Sequence, residues 1–204
     1  IAFFRRTYPE LDGPGAAIQT AYEMFGGKAK ASDGGKEWVW ENGSAFYFRH
    51  CQNEKDVYSY QSQQIDVLIG DEATHFTQEM VEYLRKRMRS ARAKHQQQMV
   101  LTSNPDPDWF GVEWIKPYLT EDGTPNNQMD GLLRYYVVDK GEYVWSDSKE
   151  ELENIYGRGE DSGIRSFTFV SANCMDNIPL MESDKGYLSN LKAQPWVDVQ
   201  RYLY

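Results

Sequence analysis

Ile65-Asp66-Val67-Leu68-Ile69-Gly70-Asp71-Glu72 is an apolar run closed by two adjacent carboxylates, and residues with helical spacing follow it directly. A strand this continuously apolar buries both faces, as parallel strands covered by helices do. Ending it on Asp-Glu delivers two carboxylates to the mouth of a sheet. ATP-driven motors place a magnesium carboxylate beside a water-activating glutamate in this way. In that reading Asp71 holds Mg²⁺ through its water shell, and Glu72 orients and deprotonates the water that attacks the γ-phosphate of ATP. Adjacent strand residues project in different directions, which suits a division of labour. The plain structural alternative is that one of the two caps the following helix and complements its dipole.

Working outward, residues 1–6 and 98–102 form two further apolar runs, the second reading Gln98-Met99-Val100-Leu101-Thr102. Phe76, Met80, Leu84, Met88 and Ala91 recur at helical spacing and predict a helix over residues 77–96. Strand, helix and strand with a short return make a βαβ unit with a right-handed crossover, hence an α/β fold with a parallel sheet. The second strand ends in Thr102-Ser103-Asn104-Pro105. Its small hydroxyl and amide groups are placed to hydrogen-bond a γ-phosphate or Glu72 and so report nucleotide state. Asn-Pro equally serves to stop a strand and start a turn.

Upstream, residues 37–40 and 44–49 flank Glu41-Asn42-Gly43 and predict a hairpin. A helix ends before Gly26-Gly27, and the Gly/Lys/Ser-rich stretch up to Lys36 reads as a mobile loop. Downstream, residues 120–131 are polar and rich in turn formers. Strands are expected at 133–139 and 166–172, with helices at 148–156 and 183–193. Residues 1–104 therefore read as most of an α/β core, and residues 105–204 as a smaller attached subdomain.

The composition bounds the function. At 204 residues the chain can bury a real interior, and 40% hydrophobic content excludes wholesale disorder. A net charge of −9 argues against a surface that coats itself in nucleic-acid phosphates, so any such contact is local and built on one basic cluster. That cluster contains Arg85, Arg89 and Arg92, which share one helix face. They are candidates for contacting DNA phosphates or a neighbouring subunit's nucleotide, a solvated face being the plain alternative. Arg5 and Arg6, ending the first strand, pose the same choice. His75 follows the carboxylates and reads as a local hydrogen-bonding residue. Two distant cysteines make neither a disulfide framework nor a zinc site. No apolar run is long enough to span a bilayer. No G-x-x-x-x-G-K-[ST] phosphate loop occurs, and the chain opens without Met inside an apolar run; both features make it read as an internal piece of a longer polypeptide.

Taken together, several blocks resemble the large terminase subunit of tailed bacteriophages, the motor that pumps DNA into preformed capsids. They are Phe4-Arg5-Arg6-Thr7-Tyr8-Pro9, Asn42 to Phe48, Asp56 to Gln61 leading into Ile65 to Glu72, Leu101 to Pro105, and Asp176-Asn177-Ile178-Pro179-Leu180 with Tyr187, Leu191 and Arg201. The resemblance implies a RecA-like core of the ASCE P-loop NTPase class, incomplete at its N-terminus, followed by a small α+β lid leading toward a nuclease domain. It makes Asp71 and Glu72 the Walker B pair and Thr102, Ser103 and Asn104 the coupling motif. It further implies ATP and Mg²⁺ as cofactors. The implied partners are double-stranded DNA, a portal protein, a small terminase subunit and further copies of the chain in a ring. Work in the cytoplasm of the infected host is implied too, not a structural place in the mature virion. Some relatives carry an arginine finger where this chain has Gln61-Ser62, so the resemblance assigns no finger here. Two other readings of the residues stay open. One is another RecA-like translocase or helicase; the other is a nucleotide-free binding module that uses the basic helix as an interaction surface.

Overall fold

The computed structural model describes residues 1–89, 97–104, 106–159 and 162–193. The chain divides into two units, Ile1–Gly111 and Val112–Tyr204.

In the first unit the predicted apolar runs become β1 (Ala2–Arg5), β5 (Val67–Asp71) and β6 (Gln98–Thr102), joined by β2 (Lys30–Ser32), β3 (Glu37–Val39) and β4 (Ala45–His50). The sheet order is β2-β3-β4-β1-β5-β6. Strands β4, β1, β5 and β6 run parallel, while β2 and β3 are antiparallel additions at one edge. The result is a mixed α/β unit with a mostly parallel six-stranded sheet.

Side-chain alternation divides the core between the two faces. Phe3, Phe46 and Phe48 gather on one face with Trp38 and with Leu11, Ile18 and Ala21, which come from the helices α1 (Pro9–Asp12) and α2 (Ala17–Phe25). On the other face Ala2, Phe4 and Leu68 are buried, and the Phe4 ring meets Tyr60 edge-on at 5.1 Å. Gly70 sits in the same row because a Cβ there would come within 2.8 Å of Leu101 Cδ2. The hairpin forms as expected. Its turn rests on Gly43 alone, at φ +80°, with Gly43 N–H donating to Trp40 O.

Several expectations need correction. The stretch read as a mobile loop contains β2, which pairs with β3 through Ala31↔Trp38. Its Gly and Lys content reflects an exposed edge, where three residues pair on one side only. Strand β6 is not covered on both faces among the described residues, since Val100 is 45% exposed. The predicted helix over 77–96 appears as α3 (Gln78–Arg85). It stops because the Arg87 carbonyl accepts from Ile65 N at 3.0 Å instead of continuing the helical ladder. Phe76, Met80 and Leu84 of its stripe are buried; Ala91 lies outside the described residues.

The second unit holds α4 (Val112–Ile115), β7 (Arg134–Asp139), β8 (Glu142–Ser146), α5 (Lys149–Tyr156), β9 (Arg165–Phe167), α6 (Ile178–Ser183) and α7 (Tyr187–Lys192). Its sheet is antiparallel in the order β8-β7-β9. Strand β8 was not foreseen. It folds back on β7 through Lys140 and Gly141, both at positive φ, a two-residue turn less familiar than Asn-Gly. The predicted strand over 166–172 keeps only its start. Beyond it Phe169 O accepts from Gly131 N at 2.8 Å and Ser171 N donates to Asp130 Oδ1 at 2.6 Å, so a loop takes the bonds a strand would need. The helix over 148–156 is found, with Ser148 Oγ accepting from Glu151 N at its cap. The closing helix expected over 183–193 appears as α7, its start set back to Tyr187 by a turn in which Asp184 Oδ1 takes the Gly186 N–H, and α6 ahead of it was not foreseen. Tyr118 is fully buried and donates to the carbonyls of Leu132 and Phe167 at 3.0 and 3.2 Å.

Candidate active site

Parallel strands align their C-terminal ends, and crevices at those ends are where open α/β sheets place ligands. Here the register sets His50, Arg5, Asp71 and Thr102 side by side across β4, β1, β5 and β6. Arg5 pairs with His50, Asp71 with Thr102, and Phe4↔Gly70 brings Arg5 level with Asp71. Side chains at one level of a parallel sheet share a face, so the row is a consequence of pairing alone.

Asp71 is held from both sides. Arg5 Nε donates to its Oδ2 at 2.8 Å, with Nη2 at ion-pair distance, 2.6 Å, from the same oxygen, and the Thr102 hydroxyl donates to Oδ1 at 2.5 Å. The Arg5 and Asp71 side chains are 27% and 24% exposed, so the pair is partly shielded from solvent. The next residue is bent sharply out of the strand. Glu72 adopts φ 54°, ψ 53°, the left-handed region that costs a non-glycine residue about 1–2 kcal/mol. Its carbonyl accepts from His75 N at 2.9 Å and opens the 3-10 turn Ala73–His75. Strain of this kind concentrates at functional sites.

The helix-cap alternative fails for both carboxylates. Glu72 makes no side-chain cap bond, Asp71 is engaged with Arg5 and Thr102, and α3 is capped by Thr77 Oγ1, which accepts from Met80 N. Ser103 is drawn into the same neighbourhood. Its hydroxyl lies 2.7 Å from Thr74 Oγ1 and accepts from Thr74 N at 3.3 Å, tying the turn after Glu72 to the end of β6. Asn104 is exposed just beyond.

The basic cluster is more dispersed than its spacing implied. Arg85 bonds Glu82 within α3 at 2.6 Å, Arg89 is exposed, and Arg92 lies outside the described residues. Arg87, which the spacing argument passed over, reaches Gln61 O at 2.7 Å and lies over the Tyr83 ring. Arg6 points away from the row, its Nη1 2.7 Å from Met80 Sδ. It lines an open cavity of about 600 Å³ with Asn53, Glu54, Lys55, Asp56 and Thr77, and that cavity includes neither Asp71 nor Glu72. His75 Nδ1 is 3.9 Å from Glu10 Oε1, beyond hydrogen-bond length and far from it in sequence, so this contact is not the local hydrogen bond expected of it. At the end of β4, burial pushes the Cys51 thiol up to about 12, which removes it as a nucleophile. The residue that sequence reasoning left unassigned is Arg5. Its signal was positional, an arginine closing a strand that pairs beside the Asp-Glu strand.

Among the described residues no group of three or more His, Cys, Asp and Glu side chains gathers to hold a metal. One carboxylate flanked by a hydroxyl fits Mg²⁺ that keeps its waters and takes its remaining ligands from phosphates. It does not fit an all-protein zinc or calcium cage. No helix among the described residues is long and apolar enough to cross a membrane.

A family model described as phage terminase large subunit matches residues 28–156, from before β2 to the end of α5. No curated protein and no solved structure matches the chain.

Proposed function

The chain belongs to the phage terminase large subunit family, whose role is in phage DNA packaging, and from that premise we propose that it carries the hydrolytic half of an ATP-driven, double-stranded-DNA-translocating motor. The observation that carries the reading is Asp71 braced between Arg5 and Thr102 at the mouth of a parallel sheet, with strained Glu72 beside it.

In this reading the core is RecA-like, and Asp71 holds Mg²⁺ through water. The bound ion would supply charge neutralisation at the phosphates. Glu72, turned off the strand by its left-handed backbone, orients and deprotonates the attacking water. Thr102 and Ser103 tie that turn to the end of β6, so a shift at either strand end reaches the other, and with Asn104 they form the coupling element. The triphosphate's own cradle comes from a phosphate loop elsewhere in the complete protein, which also cuts DNA. The second unit acts as the lid. Copies assemble as a ring with portal protein and small subunit in the host cytoplasm.

The test is Glu72→Gln in the complete gene product. Removing a positioned base costs about 10²- to 10⁴-fold in turnover, and ATP binding should survive. Near-normal ATP hydrolysis in this variant would overturn the assignment of Glu72.

A further inference from the structure

An ionised carboxylate offers about four acceptor positions. At Asp71 one on Oδ2 is taken by Arg5 Nε, with the Nη2 charge 2.6 Å from the same oxygen, and one on Oδ1 by Thr102. The guanidinium fork normally spreads across both carboxylate oxygens. Here it closes on one oxygen and leaves the other to the strand on the far side.

The charge count is as telling as the bond count. Asp71's negative charge is matched by Arg5 at ion-pair distance, and Thr102 adds no charge. The two supports come from β1 and β6, the strands flanking β5, so their positions are fixed by backbone pairing rather than by a mobile loop. A bare divalent cation approaching Asp71 therefore meets a neutralised carboxylate with a cation already seated. A cation arriving on a polyphosphate brings negative charge that Arg5 attracts, and it needs from Asp71 only one hydrogen bond to a metal-bound water.

We propose that Arg5 is a positioning residue that fixes the Asp71 carboxylate and excludes free divalent cations from it, so that metal is admitted only as its polyphosphate complex. The proposal rests on the reading of Asp71 as the metal carboxylate and adds the discrimination between free and phosphate-bound metal. Arg5 touches neither water nor phosphate in this role; it sets the orientation and charge of the group that does.

The experiment uses Mn²⁺ alone as probe, read by the loss of free Mn²⁺ signal in electron paramagnetic resonance on the 204-residue chain. Wild type and Asp71→Asn should bind Mn²⁺ equally weakly, because Asp71 is closed to the bare ion. Arg5→Gln should gain a site at least about tenfold tighter, as expected when one unit of opposing charge leaves a partly shielded position. Asp71→Asn in the Arg5→Gln background should abolish that site. Arg5→Lys keeps the charge and should keep most of the exclusion. A folded Arg5→Gln that gains no Asp71-dependent Mn²⁺ site overturns the proposal. So does wild type holding Mn²⁺ more tightly than Asp71→Asn, a comparison that stands even if Arg5→Gln does not fold. Hydrolysis is not read in any arm, so failure here is separate from failure of the Glu72 test.

Discussion

Glu72 concentrates backbone cost and proposed chemistry in one residue. Its left-handed conformation is one that glycine adopts freely and alanine does not. Glu72→Gly should therefore be more stable than Glu72→Ala by about 1 kcal/mol, with both inactive. Urea unfolding midpoints of the two variants measure this, and the reverse order would mean that the turn relaxes in solution. Elsewhere in the same unit, burial holds both the Cys51 thiol and the Tyr60 hydroxyl up at about 12, from ordinary values of 9.0 and 10.0. Acids raised on folding favour the folded state while protonated. Their stabilisation is complete below about pH 9 and is lost as pH rises toward 12. The sign predicts that unfolding free energy falls between pH 9 and 11, and that Cys51→Ala, at some cost in packing, flattens the slope. Over the same range Cys51 should resist iodoacetamide in the folded chain while the half-buried Cys174 reacts.

At the scale of elements, Trp38 ties the edge of the sheet to α2. It is 1% exposed, donates its indole N–H to Gly35 O at 2.7 Å and meets Tyr22 and Phe25 edge-on at 5.0 and 5.6 Å. Trp38→Ala should cost about 3–5 kcal/mol in denaturant unfolding, and a cost below about 1 kcal/mol would mean that β2 and β3 do not pack as described. Why such elements were or were not foreseen follows from where their information lies. Strands β1, β5 and β6 were legible because their apolar residues are contiguous. So were the starts of α3 and α5, expected at 77 and 148, although the capping roles of Thr77 and Ser148 emerge only in the structure. Strand β2 was not, since three exposed residues carry no pattern and its pairing is dictated by Trp38 on the neighbouring strand. The end of α3 was hidden for a related reason. A helical stripe continues in the sequence, and only the long-range bond from Ile65 N to Arg87 O shows where the helix stops. The same holds for the candidate site. Asp71 and Glu72 are adjacent and could be read, whereas Arg5 lies 66 residues from Asp71 and meets it only through sheet order.

Over the whole molecule the net charge of −9 is unevenly shared. The first unit carries 13 Lys and Arg against 15 Asp and Glu, and the second 9 against 16. The nearly neutral unit holds the basic cluster, but Arg85 is already bonded to Glu82 and Arg5 to Asp71. Duplex binding that neutralises only a few phosphates is weak and collapses as salt rises, because affinity falls with each counterion released. The chain alone should therefore hold a short DNA duplex detectably only at low ionic strength and lose it by about 150 mM salt. Fluorescence anisotropy of a labelled duplex across a salt series measures this. Charge reversal at Arg85 should change the salt slope by less than one phosphate's worth, while reversal at exposed Arg89 should remove most of what binding there is. Loss on that pattern would place the motor's grip on DNA in the assembled ring, where many weak contacts act together. Submicromolar affinity persisting at 150 mM would instead mean that a single copy grips the duplex through a surface its charge balance does not reveal.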